Sequence, residues 1–232
     1  MIQKIMPKGI KVISFDLDDT LWSGPQVIRH AEAVMQNWMA EHTPRVLSQF
    51  NGEQFLEKKI QFIKQNPQLK NKISLSRQVF LQQLFSELGY KNAETLSQDC
   101  FHAFYHARQN VTLFDDVLST LDALKQNYRL ISITNGNADV QLTPLANAFE
   151  LSLVAEHFER PKPHDDIFLH ALEQLKCEPH EVLHVGDHPV HDVQGAHEIG
   201  MKTCWLNDGS RQWTLPFDAH LTISHVRELL RV

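Results

Sequence analysis

The chain has 232 residues, 42% hydrophobic and 22% charged, with a formal net charge of −6. Roughly 70–75% of the unfolded surface can be buried at this length, so no covalent or metal staple is required. An acidic balance argues against general nucleic-acid binding, which needs a basic face.

The elements follow in chain order. Ile10 to Phe15 is an apolar, β-branched run that reads as a buried strand. It ends in Asp16-Leu17-Asp18-Asp19-Thr20. The stretch from Pro25 to His106 shows no strand pattern. Val27–Glu41, Glu53–Gln65, Ser74–Leu88 and Glu94–Arg108 read as helices, punctuated by Pro44, Asn51-Gly52, Asn66-Pro67 and Gly89. Leu75, Val79, Leu84 and Leu88, with Phe80, Leu81 and Phe85, form a wide apolar stripe near helical spacing. This is a helical insert after the first strand. From about 107 strands and helices alternate. The strands are Tyr128–Ile133, Val182–Val185, Lys202–Leu206 and a weaker Leu221–Ile223. The helices are Asp115–Gln126, Asp139–Phe149, Asp165–Leu175 and Val193–Ile199. Alternation of this kind implies βαβ units and a parallel sheet. The expected fold is α/β: a Rossmann-like parallel core over 1–23 and 107–232, with a helical-bundle cap over 24–106.

Cys100, Cys177 and Cys204 are far apart, odd in number and form no C-x-x-C. A disulfide framework or zinc site is disfavoured and a reducing compartment is expected. The first eleven residues hold no long apolar segment of a secretory leader. No apolar run nears the ~20 residues that span a bilayer. These readings predict a cytoplasmic protein without membrane or nucleic-acid partners, monomeric or weakly dimeric.

Asp16 and Asp18 stand one residue apart at a strand end. Charge near a core is costly without a partner, and a divalent cation with oxygen ligands would offset that cost. The alternative is a solvated Asp-rich turn capping a helix. Two further polar clusters also follow strands: Thr134-Asn135-Gly136-Asn137, and Gly186-Asp187 with Asp192. Ligands bind outside the carboxyl ends of strands in open parallel sheets, so three such clusters would converge on one edge. Asp16, Asp18 and Thr20 mimic the start of an EF-hand loop, but Leu21 and Val27 stand where that loop needs Gly and Glu. No G-x-x-x-x-G-K-[ST] or G-x-G-x-x-G is present, which disfavours nucleoside-triphosphate and dinucleotide chemistry.

Asp16-Leu17-Asp18-Asp19-Thr20, Thr134-Asn135, Lys162-Pro163 and Gly186-Asp187 through Asp192 together resemble the four motifs of the haloacid dehalogenase-like hydrolase superfamily, in the same order. The resemblance implies catalytic roles for Asp16, Asp18 and Lys162. Asp16 would be the nucleophile that forms an aspartyl phosphate. Asp18 would be the acid for the leaving group and then the base for water. Thr134, the Asn135 amide and Lys162 would bind phosphoryl oxygens. Asp16, Asp187 and the Asp18 backbone carbonyl would ligate Mg²⁺, and Asp192 would orient Lys162 or a metal-bound water. Superfamily dehalogenases lack a carboxylate at the place of Asp18, because a halide leaves without a proton. Asp18 therefore favours phosphatases and phosphomutases. His191 replaces the Asn usual before the last Asp. His188 and His191 together would be the alternative, transition-metal reading of this loop, against an otherwise all-oxygen site.

Phe114-Asp115-Asp116-Val117, Ile133 to Ala138 and Leu183 to Asp187 look most like bacterial phosphatases of flavin mononucleotide and of 5-amino-6-(5-phospho-D-ribitylamino)uracil. A small phosphorylated metabolite of that kind is the expected partner. A β-phosphoglucomutase-like phosphomutase and a catalytically silent binding protein are the alternatives. The cap holds Arg29, Arg45, Arg77, Trp38, Tyr90, Phe104 and Tyr105. A flavin ring could stack on such groups, although Trp38, Phe80 and Phe104 read first as cap packing. Arg77 is the foremost cap cation, and Trp22 reads as a packing residue or a substrate stacker.

Overall fold

The computed structural model describes residues 5–232. The leader reading of the first eleven residues falls partly on 1–4, outside the described residues. The chain divides into two compact units, Met1–Gly24 with Val111–Val232, and Pro25–Asn110.

The first unit is built on six parallel strands: β1 (Val12–Phe15), β2 (Arg129–Thr134), β3 (Leu151–Val154), β4 (Val182–Gly186), β5 (Lys202–Leu206) and β6 (Leu221–Ile223). Their order is β3-β2-β1-β4-β5-β6. β1 is central, with Val12 opposite Arg129 on one side and Val182 on the other. Every residue of β1 and β4 is buried. A parallel strand covered on both faces must read as a continuous apolar run, as β1 does. The chain winds outward through β2 and β3, then returns to the other side of β1 for β4. That reversal is where an open parallel sheet leaves a crevice at its carboxyl edge.

One face of the sheet is sealed by α7 (Asp166–Leu175). Ile167, Phe168, Ala171, Leu172 and Leu175 recur at helical spacing and pack with Val12, Ile131, Ile133 and Val182. Each large apolar side chain buried there contributes about 1.5–3 kcal/mol. The helix stops at Lys176, whose φ of 54° is left-handed. α6 (Val117–Leu124) packs against the turn Val226–Leu230.

The second unit is a helical insertion after β1. It comprises α2 (Pro44–Gln49), α3 (Gly52–Gln65), α4 (Ile73–Glu87), α5 (Ala93–Arg108) and all of α1 (Gly24–His42) beyond its first residue. Met35, Met39, Phe62, Leu81, Phe85 and Phe104 belong to its own core. A reciprocal capping box between Asn51 and Gln54 starts α3. Leu75 departs from the expected stripe, being 47% exposed.

Three local expectations are corrected. Asp139–Phe149 is not an α-helix. It holds only a short 3₁₀ turn, Val140–Leu142, and Thr143 is extended at φ −114° and ψ 171°. Pro144 follows, and a residue before proline is driven out of helical space. β3 pairs with β2 just after that region, where an edge strand of four residues leaves little pattern of its own. α2 begins at Pro44, which opens a helix here rather than marking a break.

Candidate active site

Asp16 follows β1 directly, and its amide still donates to Val185 O of β4 at 2.9 Å. The next turn braces itself. Asp19 takes a left-handed φ of 61°, its amide donates to Trp22 O at 2.7 Å, and its Oδ1 accepts from Gly24 N at 3.0 Å. Thr20 Oγ1 donates to Asp16 Oδ2 at 3.2 Å, and Trp22 Nε1 donates to Asp18 Oδ1 at 2.8 Å. Trp22 is fully buried, which settles it as a packing and positioning residue and not a substrate stacker.

Lys162 sits between Pro161 and Pro163 and is 2% exposed. Its ammonium has three protons and finds three acceptors: Asp16 Oδ1 at 2.8 Å, Ile133 O at 2.8 Å and Asp192 Oδ1 at 2.6 Å. Asn135 fixes the Lys162 backbone from both sides, Nδ2 donating to Lys162 O at 3.0 Å and Oδ1 accepting from Lys162 N at 2.9 Å. The Asn135 side chain is thereby committed to the loop. Thr134 Oγ1 accepts from Gly136 N at 2.9 Å, which leaves its hydroxyl proton to be directed elsewhere.

Beyond β4 the chain makes a turn of π-helix, Pro189–Gln194. This folds Asp192 back over Gly186. Asp192 Oδ2 accepts from His188 N at 2.9 Å, and Oδ1 lies 3.3 Å from His184 Nε2. His184 Nδ1 in turn meets Ser14 Oγ at 2.9 Å. Asp192 is thus saturated by Lys162, His184 and the His188 amide. The rings of His188 and His191 stack at 3.9 Å and 12°. His188 Nδ1 already accepts from Val190 N and His191 N. Among the described residues the carboxylate cluster able to hold a metal contains neither histidine, so the transition-metal reading of that pair is not supported.

Electrostatics follow from burial. Desolvation pushes the Asp16 carboxyl well above its ordinary value, with Lys162 opposing and Asp192 and Asp187 reinforcing. Burial and the Asp192 charge push Asp187 up to about 6, against Arg211. Asp192 is desolvated too, yet the Lys162 charge and the His184 contact hold it well below the usual carboxylate range. Burial lowers His184, leaving a neutral ring between Ser14 and Asp192.

Ligand atoms of Asp16, Asp187 and Asp192 lie within 4.8 Å of one another. Asp187 Oδ2 is buried without a hydrogen-bond partner. An orphaned carboxylate oxygen in an all-oxygen set fits a hard divalent cation. Because Asp192 is already saturated, Asp16 and Asp187 are the carboxylates left to hold one. The cleft around them is ≈ 150 Å³ and is lined also by Asp18, Thr134, Asn135, Lys162 and Arg211. The structure therefore brings together every residue singled out at the strand ends.

A family model described as haloacid dehalogenase-like hydrolase matches residues 10–200. The chain belongs to this family. Among the relatives of this haloacid dehalogenase-like hydrolase is the Escherichia coli 5-amino-6-(5-phospho-D-ribitylamino)uracil phosphatase YigB, 30% identical over 95% of this chain and 94% of that one. The pyrimidine 5'-nucleotidase YjjG of the same organism is 33% identical over 55% of this chain and 60% of its own. Among solved structures, the 2-haloacid dehalogenase of Pseudomonas syringae pv. Tomato superposes with a TM-score of 0.89 at 35% identity, covering 95% of this chain and 96% of that one. The helical insertion after β1 is the cap of this family.

Sequence reasoning missed four contributors. Thr20, Trp22 and Trp205 act through hydrogen bonds, Trp205 Nε1 donating to Asp187 O at 2.8 Å. Arg211 arrives from the loop after β5, where the run Asn207-Asp208-Gly209-Ser210 signals only a turn. In the cap, Arg77 lies 3.6 Å over the Phe104 ring and pairs with Glu32 at 2.8 Å. Phe80 and Phe104 are buried in the cap core, as packing predicted.

Proposed function

We propose that the cleft hydrolyses a small phosphate monoester through an aspartyl-phosphate intermediate, with flavin mononucleotide or 5-amino-6-(5-phospho-D-ribitylamino)uracil as first substrates. The chain is a haloacid dehalogenase-like phosphatase, a phosphoric monoester hydrolase. The observation that carries the mechanism is the three-acceptor seat of Lys162, which sets a fixed cation against Asp16 inside the cleft.

A carboxylate approaching a phosphate dianion meets repulsion, so cations must lie between them. Lys162 supplies one without reorganising, because its partners already hold it. Asp16 attacks phosphorus, the ester oxygen leaves, and a covalent aspartyl phosphate results. Asp18 gives its proton to the departing alkoxide and then takes one from the attacking water. The Thr134 hydroxyl and the Asn135 backbone amide bind phosphoryl oxygens. Asp192 keeps Lys162 aimed at Asp16. Asp16, Asp187 and the Asp18 carbonyl would hold Mg²⁺, which when bound neutralises phosphoryl charge. The substrate reading is supported by the likeness to the uracil-derivative phosphatase over nearly the whole of both chains.

Dehalogenation is the second reading, favoured by the likeness to the Pseudomonas enzyme. Asp18 opposes it, since a departing halide needs no proton. One assay separates the readings: phosphate and halide release over a panel of both phosphates, sugar phosphates, nucleotides and 2-haloacids, with Mg²⁺ or chelator. Chelator-sensitive phosphate release supports the proposal. Halide release without phosphate release overturns it. Asp16→Asn should abolish turnover and the trapping of a phosphoryl-enzyme.

A further inference from the structure

Arg211 is a cation on the cleft that no motif announces. Its Nε stands 2.6 Å from Asp187 Oδ2 and its Nη2 3.8 Å from Asp19 Oδ2. Asp187 Oδ2 nevertheless has no hydrogen-bond partner. The contact is one of charge, not of an aligned N–H···O bond. A guanidinium that recognises a carboxylate by design makes two parallel bonds to it. Here a buried oxygen is aimed at a positive charge but is not matched to the geometry of an arginine, as expected of an oxygen shaped for a spherical ion.

The loop that carries Arg211 is anchored by its own backbone. Asn207 Oδ1 accepts from Gly209 N and Arg211 N, and Asn207 Nδ2 donates to Arg211 O at 3.2 Å. The Arg211 side chain itself is 39% exposed. It can therefore leave Asp187 for water without disturbing β5 or the loop. Two cations cannot share one carboxylate oxygen without repulsion.

We infer that Arg211 is a placeholder for the divalent cation, neutralising Asp187 in the metal-free enzyme and surrendering it when metal binds. The inference rests on the metal-dependent reading of the site. A ligand that must displace an internal competitor loses affinity by the strength of the contact it replaces. Arg211 thus sets how much divalent cation the enzyme needs, and protects a buried carboxylate until that cation arrives.

The test is Mg²⁺ titration of the full-length protein by calorimetry, comparing wild type with Arg211→Gln and Arg211→Lys. Removing a half-exposed ion pair should tighten Mg²⁺ binding severalfold, up to about fivefold, in Arg211→Gln. Arg211→Lys keeps the charge and should bind more weakly than Arg211→Gln. Unchanged or weaker binding in Arg211→Gln, or equal affinity of the two variants, overturns the inference while leaving the metal-dependent reading intact. Absence of Mg²⁺ binding by the wild type overturns both.

Discussion

The indole Nε1 of Trp22 donates to Asp18 Oδ1 at 2.8 Å from a fully buried ring. The backbone of Trp22 also bridges to Asp18 and to Leu113. Gly24 closes in from another side: a Cβ there would stand 3.0 Å from Asp18 Cβ. Asp18 is therefore oriented by its own loop. Trp22→Phe keeps most of the packing and deletes the donor. A hydrogen bond of this kind contributes about 1 kcal/mol, so kcat on alkyl phosphates should fall roughly five- to tenfold. Aryl phosphates, whose leaving groups need less proton assistance, should be affected less. Equal losses on both substrate types would count against an orienting role toward the acid.

Lys162 joins two carboxylates from distant parts of the chain, Asp16 and Asp192. Lys162→Met leaves both buried and opposed by no cation. Removing one partner of a buried ion network costs about 3–5 kcal/mol. The variant should lose that stability in urea denaturation as well as its turnover. Normal stability with lost turnover would show that the seat is catalytic only.

Gly186 is required for close approach. A Cβ at this position would meet Asp192 Cγ at 2.3 Å and Oδ2 at 2.4 Å. Gly186→Ala must push Asp192 away from Lys162 and from the His188 amide. It should therefore mimic Asp192→Ala in kcat, although it changes no functional side chain. Retention of wild-type kcat by Gly186→Ala would separate Asp192 from the catalytic arrangement.

Much of this site was legible because strand ends carry local signals. Apolar runs located β1, β2, β4 and β5, and the polar residues following β1, β2 and β4 located the cleft. What escaped depends on contacts distant in sequence. The partnership of His184 with Ser14 and Asp192 crosses from β4 to β1, and an isolated buried histidine gives no hint of it. Arg211 reaches Asp187 from a loop whose sequence specifies only a turn. β3 exists because β2 offers an edge, and its four residues were hidden behind a helical pattern that Pro144 interrupts. Within the cap, apolar spacing located α3, α4 and α5, but Leu75 lies in the stripe and still faces solvent. The stripe is wider than the core it serves.

Asp187 offers a test in which stability and function oppose each other. Its carboxyl is pushed up to about 6 by burial and by Asp192, from an ordinary value of 3.8. The folded chain thus holds this proton more tightly than the unfolded chain. Stability falls as pH rises between about 4 and 6, and the full cost, roughly 2–3 kcal/mol, is borne above that window. Asp187→Asn removes the titration. In chelator at pH 7.5 the variant should melt at a higher temperature than wild type, and the gap should close toward pH 4. Adding Mg²⁺ should raise the melting temperature of wild type and leave the variant unmoved, because a ligand stabilises only the state that binds it. A variant less stable than wild type in chelator, or equally responsive to Mg²⁺, would remove Asp187 from the cation seat.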